Sequence, residues 1–179
     1  MSAIVELISP HAALCNSYRA LVNEFLERDE DLVPFVLEFE HTDFSAFLAR
    51  LSDCSRGVGL PERFVPHSTY WLVKNKAHVV GVSNIRHSLT PKLRREGGNI
   101  GYGIRPSARG QRLGAEILRL SLQRAWGLGL TDVLITCGKA NVASATVIRR
   151  NGGVLESEEF LQQRGEIVQR YSIRREHHD

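Results

Sequence analysis

With 179 residues, 42% of them hydrophobic and 24% charged, the chain has the composition of a soluble globular protein and the length for one α/β domain with a substantial core. A formal charge of +3, with no basic run interleaved with aromatics, argues against a nucleic-acid partner. No apolar run reaches the length of a membrane span, Met1 to Pro10 lacks a signal-peptide pattern, and Cys15, Cys54 and Cys137 show no metal-type pairing, so a cytoplasmic protein without a metal is expected.

Ala3 to Ile8 alternates and reads as a first strand. Pro10-His11 opens a helix with Leu14, Tyr18, Leu21, Val22 and Phe25 at helical spacing. An acidic break at Glu27 to Asp31 follows. Leu32 to Glu40 is interrupted by Pro34, yet its Phe35, Val36, Leu37 and Phe39 call for burial. Thr42 or Asp43 caps a second helix bearing Phe44, Phe47, Leu48 and Leu51, which ends at Gly57. Thr69 to Lys74 and His78 to Arg86 read as a hairpin turning at Asn75-Lys76, with a bulge expected at Gly81. Ser88 to Gly98 reads as a polar, basic loop.

The stretch from Gly98 to Ala115 organises the rest. Ile100, Tyr102 and Ile104 alternate with Asn99, Gly101 and Gly103, which gives a strand with one apolar face and one nearly bare face. Such bareness marks close approach by a backbone or a ligand. After Pro106 the period changes, and a helix is expected from Gln111 to Leu128, stopped at Gly127-Leu128-Gly129. A short basic turn between a strand and a helix leaves helix N–H groups unpaired beside a positive dipole end, which suits a phosphate. Arginines gather there: Arg105, Arg109, Arg112, Arg119 and Arg124, with Lys92, Arg94 and Arg95 just upstream. Two phosphate motifs are excluded. Gly114-Ala115-Glu116 has neither the lysine nor the hydroxyl of a P-loop, and Gly101-Tyr102-Gly103-Ile104-Arg105-Pro106 lacks the last glycine of a dinucleotide fingerprint.

Thr131 to Cys137 is an apolar strand of the kind buried between helical layers. Asn141 to Arg150 is a helix ended by Asn151-Gly152-Gly153, and Val154 to Phe160 with Ile167 to Ile173 form a closing hairpin. His177-His178-Asp179 reads as a frayed tail.

Arg109-Gly110-Gln111-Arg112-Leu113-Gly114 resembles the pyrophosphate loop of the GCN5-related N-acetyltransferase superfamily, Arg/Gln-x-x-Gly-x-Gly/Ala, with Arg112 at a glycine position. Asn141 to Gly153 resembles the downstream Asn-x-x-Ala/Ser-x-x-Leu-Tyr-x-x-x-Gly-Phe signature, roughly 30 residues on and in the right order. The likeness spans Trp71 to Ile173. It implies a mixed, mostly antiparallel α/β sheet of about seven strands with a splayed parallel pair, made by the glycine-rich strand and the strand ending at Cys137. It implies residues 1–176 as one acetyltransferase-like domain, in which 1–66 wall the acceptor site and 67–174 form the sheet and cofactor core.

By the same resemblance, acetyl-CoA is the co-substrate. Gly103, Ile104, Arg109, Gly110, Gln111, Arg112, Leu113, Gly114, Ala115, Asn141 and Ser144 are its expected contacts, and Gly101 and Gly103 clear the path of pantetheine. Asn141 also reads as a helix N-cap. Direct acetyl transfer to an amine uses a base and an acid. Ile148 stands where many members have the acid tyrosine, and Asn99 lies where a base carboxylate often starts the glycine-rich strand. Glu96 is the candidate base, directly or through water, and Tyr102 the candidate acid, although Tyr102 also reads as a core aromatic. Cys137 reads as buried. A small-molecule amine or amino acid is the expected acceptor, drawn by the acidic residues Glu27 to Asp31, and a homodimer is possible. The alternative is a non-catalytic acyl-CoA-binding sensor or partner module.

Overall fold

The computed structural model describes residues 4–175, so Ala3 and the His177–Asp179 tail lie outside the described residues. In chain order the elements are β1 (Val5–Ile8), α1 (Cys15–Glu27), α2 (Phe44–Arg56), β2 (His67–Lys74), β3 (His78–Arg86), α3 (Pro91–Glu96), β4 (Ile100–Ile104), α4 (Leu113–Gly127), β5 (Asp132–Gly138), α5 (Val142–Arg150), β6 (Val154–Leu161) and β7 (Glu166–Arg174). The α/β class is as expected. Among the described residues the seven strands form two antiparallel sheets, β1-β2-β3-β4 and β5-β7-β6, and no ladder is parallel, so the expected splayed parallel pair is not confirmed.

The two sheets are stitched at one point. The Asn99 N–H donates to the Leu134 carbonyl at 2.6 Å, and the Asn99 side-chain oxygen accepts the Leu134 N–H at 2.9 Å. The Asn99 amide nitrogen donates to the Arg86 carbonyl at 3.3 Å. Beyond this stitch no backbone hydrogen bond joins β4 to β5 among the described residues.

Asn75 and Lys76 both have positive φ, the geometry of a tight hairpin turn that matches strand twist. The expected irregularity at Gly81 is present: the β2–β3 register shifts where Leu72 faces Gly81 and Val73 faces Val79. A Cβ at Gly81 would lie 2.9 Å from Ile104 and 3.0 Å from Ile117, so the missing side chain lets α4 press onto the sheet.

Helices α1 and α2 cover one face of the first sheet, where Tyr18 stacks on Trp71 at 4.7 Å among Leu21, Phe25, Phe47 and Val82. The other face meets α4, whose Ile117, Leu118 and Leu122 pack towards both sheets, while α5 sends Ile148 onto β5 and β7. Strand β5 alternates rather than being buried on both sides: Val133, Ile135 and Cys137 point inward and Leu134 is half-buried. Asp43, not Thr42, caps α2, its carboxylate accepting the Ala46 N–H at 3.0 Å, and Gly57 ends it at φ 72°.

The segment 88–98, expected as a loop, contains α3. Thr90 caps it by accepting the Leu93 N–H at 3.2 Å, and Pro91 occupies its first turn. The segment 32–40 resolves into a 3-10 turn over Phe35–Glu38 with Val36 and Leu37 buried. Its leading residues, Val33 and Pro34, form a strap across the glycine face of β4.

Candidate active site

The turn between β4 and α4 is held from the side by α1. Arg105 Nε donates to Glu24 at 2.7 Å, and Ser107 donates to the same carboxylate through its N–H and its hydroxyl, each at 3.0 Å. Burial pushes the Glu24 carboxyl up, but the Arg105 and Ser107 hydrogen bonds and the Arg105 charge outweigh it and bring the pKa down to about 2. Arg109 is anchored too. Its two terminal nitrogens reach both Glu30 oxygens at 3.0 and 2.6 Å, its Nε donates to the Ile104 carbonyl at 3.3 Å, and its guanidinium lies over Phe25. The hydrogen bond from Arg109 holds the Glu30 carboxyl below its usual range.

From Gly110 the chain turns sharply. Gly110 has φ 78° and Arg112 φ 60°, so arginine occupies a left-handed position that costs an L-residue about 1 kcal/mol. Arg112 is the N-cap of α4 and supplies no side-chain cap. Among the described residues the N–H groups from Gly110 to Ala115 have no protein partner; the first bond of the helix runs from the Glu116 N–H to the Arg112 carbonyl. That is an anion cradle in the sense of an uncapped helix start. Beside it opens a cleft of about 510 Å³ bordered by Lys74, Gln111, Arg112, Arg119 and Arg150. Glu116 binds Arg119, and Lys74 donates to the neutral Gln111 amide at 2.9 Å, so among the described residues Lys74, Arg112 and Arg150 have no carboxylate partner there. Leu113 is buried under the loop. Gly114 allows α5 to approach, since a Cβ would stand 3.2 Å from Val147, and Ala115 accepts the Asn151 amide at 3.2 Å.

On the other side of Arg109 lies a second cleft, of about 470 Å³, bordered by Phe25, Asp29, Asp31, Tyr102, Gly103 and Asn141. The ring of Tyr102 packs against two core clusters, and its hydroxyl is 3.4 Å from the Ser144 hydroxyl. Burial raises the Tyr102 pKa to about 12, the Ser144 contact opposing it only in part, so the hydroxyl is protonated at neutral pH. Burial likewise pushes the Cys137 thiol up. Asn141 is the N-cap of α5, accepting the Ser144 N–H at 3.0 Å, and its residue also borders the cleft.

Tyr102, Gly103, Arg109, Asn141 and Ser144 therefore come together, and the 110–115 loop adjoins them. Glu96 does not join this group: it sits on α3 with its carboxylate 3.4 Å from Lys92, and the Arg164 guanidinium donates to its carbonyl. Of the two close approaches that a bare strand face allows, a backbone or a ligand, the chain's own backbone supplies one at Gly103. A Cβ on Gly103 would collide with the Val33 carbonyl, so the chain's own strap takes that space, whereas one on Gly101 would meet only Pro34, at an ordinary contact of 3.5 Å. Glu24 and Val33 were not foreseen as site residues, and Glu30 was expected to draw the amine rather than to hold Arg109. Their carboxylates and carbonyl are ordinary surface chemistry in sequence, and only the tertiary fold aims them at β4 and its turn.

The chain shares its fold with solved acetyltransferases. It resembles RimL, a ribosomal L7/L12 alpha-N-protein acetyltransferase in complex with coenzyme A, at 19% identity over 97% of this chain and 95% of that one, with a TM-score of 0.65. It resembles the microcin C7 self-immunity acetyltransferase MccE in complex with acetyl-CoA and AMP at 16% identity, covering 95% and 92%, with a TM-score of 0.66. A dodecameric spermidine N-acetyltransferase from Vibrio cholerae matches at 13% identity over 95% and 93%, with a TM-score of 0.61. No curated protein sequence matches the chain. The model of the acetyltransferase (GNAT) domain matches residues 19–154. With its strand, uncapped basic loop, helix and Asn141 cap in that order, the chain belongs to the GNAT acetyltransferase family.

Proposed function

We propose that the protein moves an acetyl group from acetyl-CoA to a primary amine of a small molecule or amino acid. The observation that supports this most is the unpartnered N–H row from Gly110 to Ala115 beside the Tyr102 cleft. Solved relatives in complex with coenzyme A or acetyl-CoA support the same cofactor. A pyrophosphate fits this row, with Arg112 and Arg150 adding positive charge, while Gln111, Leu113, Gly114 and Ala115 shape the cradle. Gly103, Ile104, Asn141 and Ser144 border the gap where β4 and β5 are no longer joined, and there they hold the pantetheine arm. Bound acetyl-CoA supplies an activated thioester.

The chain's own groups do the rest. Asp29 and Asp31 on the cleft rim attract the protonated amine, while Glu30 is spent on Arg109. Tyr102, still protonated at neutral pH, gives its proton to the departing thiolate, and Ser144 orients that hydroxyl. Glu96 acts as base only through water, because its carboxylate pairs with Lys92 and does not border this cleft. Alignment of amine and thioester in one cleft supplies much of the rate by itself. The cysteines Cys15, Cys54 and Cys137 are free thiols, in keeping with a reducing cytoplasm.

The test measures melting temperature with acetyl-CoA, coenzyme A and ATP, together with thiol release against a panel of amines and peptides. Stabilisation by both coenzyme A species but not ATP, with thiol release on a small amine, is the expected result. Stabilisation without release from any acceptor points instead to the non-catalytic sensor. No stabilisation at all removes the cofactor reading.

A further inference from the structure

The cleft beside the Gly110–Ala115 row carries more positive charge than that row needs for a pyrophosphate. Its volume, about 510 Å³, is room for a nucleoside-sized group. Elements outside the loop build two of its walls. On one side stand β1 and the end of β2, where Val5 lies in register with Lys74. On the other stands the end of α5, with Arg150 and Asn151.

Among the described residues a single acidic side chain, Glu116, borders the cleft. Both its oxygens accept from Arg119, at 2.9 and 2.7 Å, so that pair is neutral and opposes no anion. Lys74, Arg112 and Arg150 have no such partner there. Two of these cations come from outside the loop, and each is held towards the cleft. The Lys74 ammonium donates to the Gln111 side-chain oxygen at 2.9 Å, which leaves two of its three donors for a ligand. The Asn151 side-chain nitrogen donates to the Ala115 carbonyl at 3.2 Å and to the Val147 carbonyl at 3.0 Å. These bonds fasten the end of α5 to the start of α4 and keep Arg150 at the rim.

The helix start and Arg112 suffice for a pyrophosphate. Coenzyme A has one further phosphate, a monoester on its ribose, and such a group carries a charge of about −1.5 to −2 at neutral pH. No aromatic ring borders the cleft among the described residues, so charge, rather than stacking on the base, is what its walls can recognise. We propose that Lys74 and Arg150 form a site for the ribose 3′-phosphate, by which the protein distinguishes coenzyme A from 3′-dephospho-coenzyme A. This rests on the cofactor reading above and extends it to a group that the loop leaves unread. Arg150 offers the phosphate a planar fork and Lys74 a point charge. Lys74 is half-buried and Arg150 exposed, so the preference is screened by salt.

The test titrates coenzyme A and 3′-dephospho-coenzyme A into the full chain by calorimetry, at low and at high salt. Coenzyme A binds about tenfold or more tightly at low salt, and the gap narrows at high salt. Lys74→Gln closes most of the gap by weakening coenzyme A alone, while Lys74→Arg, which keeps the charge, preserves it. Arg150→Gln weakens coenzyme A more than its dephospho form. In the unaltered chain the 31P resonance of the 3′-phosphate shifts on binding. Equal affinity for the two forms overturns the proposal and leaves the loop's role intact, because dephospho-coenzyme A keeps both pyrophosphate and pantetheine. A gap that Lys74→Gln and Arg150→Gln leave unchanged also overturns it. An unmoved 3′-phosphate resonance does so even if a variant misfolds. Binding of neither form removes the cofactor reading, and this proposal with it.

Discussion

The α-carbon of Gly103 faces the carbonyl oxygen of Val33 with no room for a side chain between them. Gly101, two residues earlier on the same face, meets only Pro34 and at ordinary van der Waals distance. The two glycines therefore respond differently to the same change. Gly103→Ala must push the 32–40 strap off β4 and lowers stability by about 1–3 kcal/mol, as overpacking does. Gly101→Ala stays within about 1 kcal/mol of the parent. Chemical denaturation of both variants checks this, and equal losses contradict it.

Glu24 links α1 to the turn after β4. Its folded pKa, about 2, lies below the value of an unfolded glutamate. The sign follows: the stabilisation is present above the unfolded pKa and is lost as pH falls towards about 2. Glu24→Gln costs on the order of 1 kcal/mol at neutral pH after solvent screening, and less under acid conditions. Unfolding curves of both proteins from neutral to acid pH should converge; a constant gap rules out the linkage.

Arg112 holds a left-handed conformation that glycine adopts freely. In Arg112→Gly the relief of strain and the added chain entropy nearly cancel, so stability changes by less than about 1 kcal/mol. Coenzyme A binding weakens several-fold, and its salt dependence becomes shallower because a cation has gone. Titrations at two ionic strengths report this, and unchanged binding at both shows that Arg112 serves the loop only as backbone.

Tyr102→Phe keeps the ring in its core clusters and removes the hydroxyl beside Ser144. Turnover falls by about 10²-fold while coenzyme A affinity holds, the mark of a lost proton donor. Since the hydroxyl keeps its proton up to about pH 12, it sets no limb in the rate profile below that. Unchanged turnover in Tyr102→Phe contradicts the assignment.

Local patterns marked most of the elements. The β2–β3 hairpin, the change of period across Arg109-Gly110 and the Asn141 cap all lie in short windows where neighbouring residues decide the conformation. Helix α3 was legible as well, in Thr90-Pro91, but its basic residues disguised it as a loop. What sequence could not convey was long-range. β7 inserts between β5 and β6, and β4 shares no ladder with β5, so the strands form two antiparallel sheets. The Val33 carbonyl, Glu24 and Glu30 come from the amino-terminal helical region, and nothing local tells which strand or turn they will meet. So the bare face of β4 announced a close approach without telling that the Val33 backbone would make it at Gly103, while the loop that suits a phosphate was read from its own residues.

The single stitch at Asn99 also sets a length. Asn99 behaves as a surrogate peptide group, bonded to one strand on each side, and β4 and β5 continue past it unjoined. Each further residue of strand adds about 3.3 Å, so the reach from the stitch to the Tyr102 hydroxyl is counted out in the short run from Asn99 to Tyr102. Moving the asparagine two places along β4 would shorten the gap by about 7 Å, roughly two residues of strand. The depth available to a linear guest is thus written in the position of one amide, as the last tooth of a zip determines how far a jacket opens.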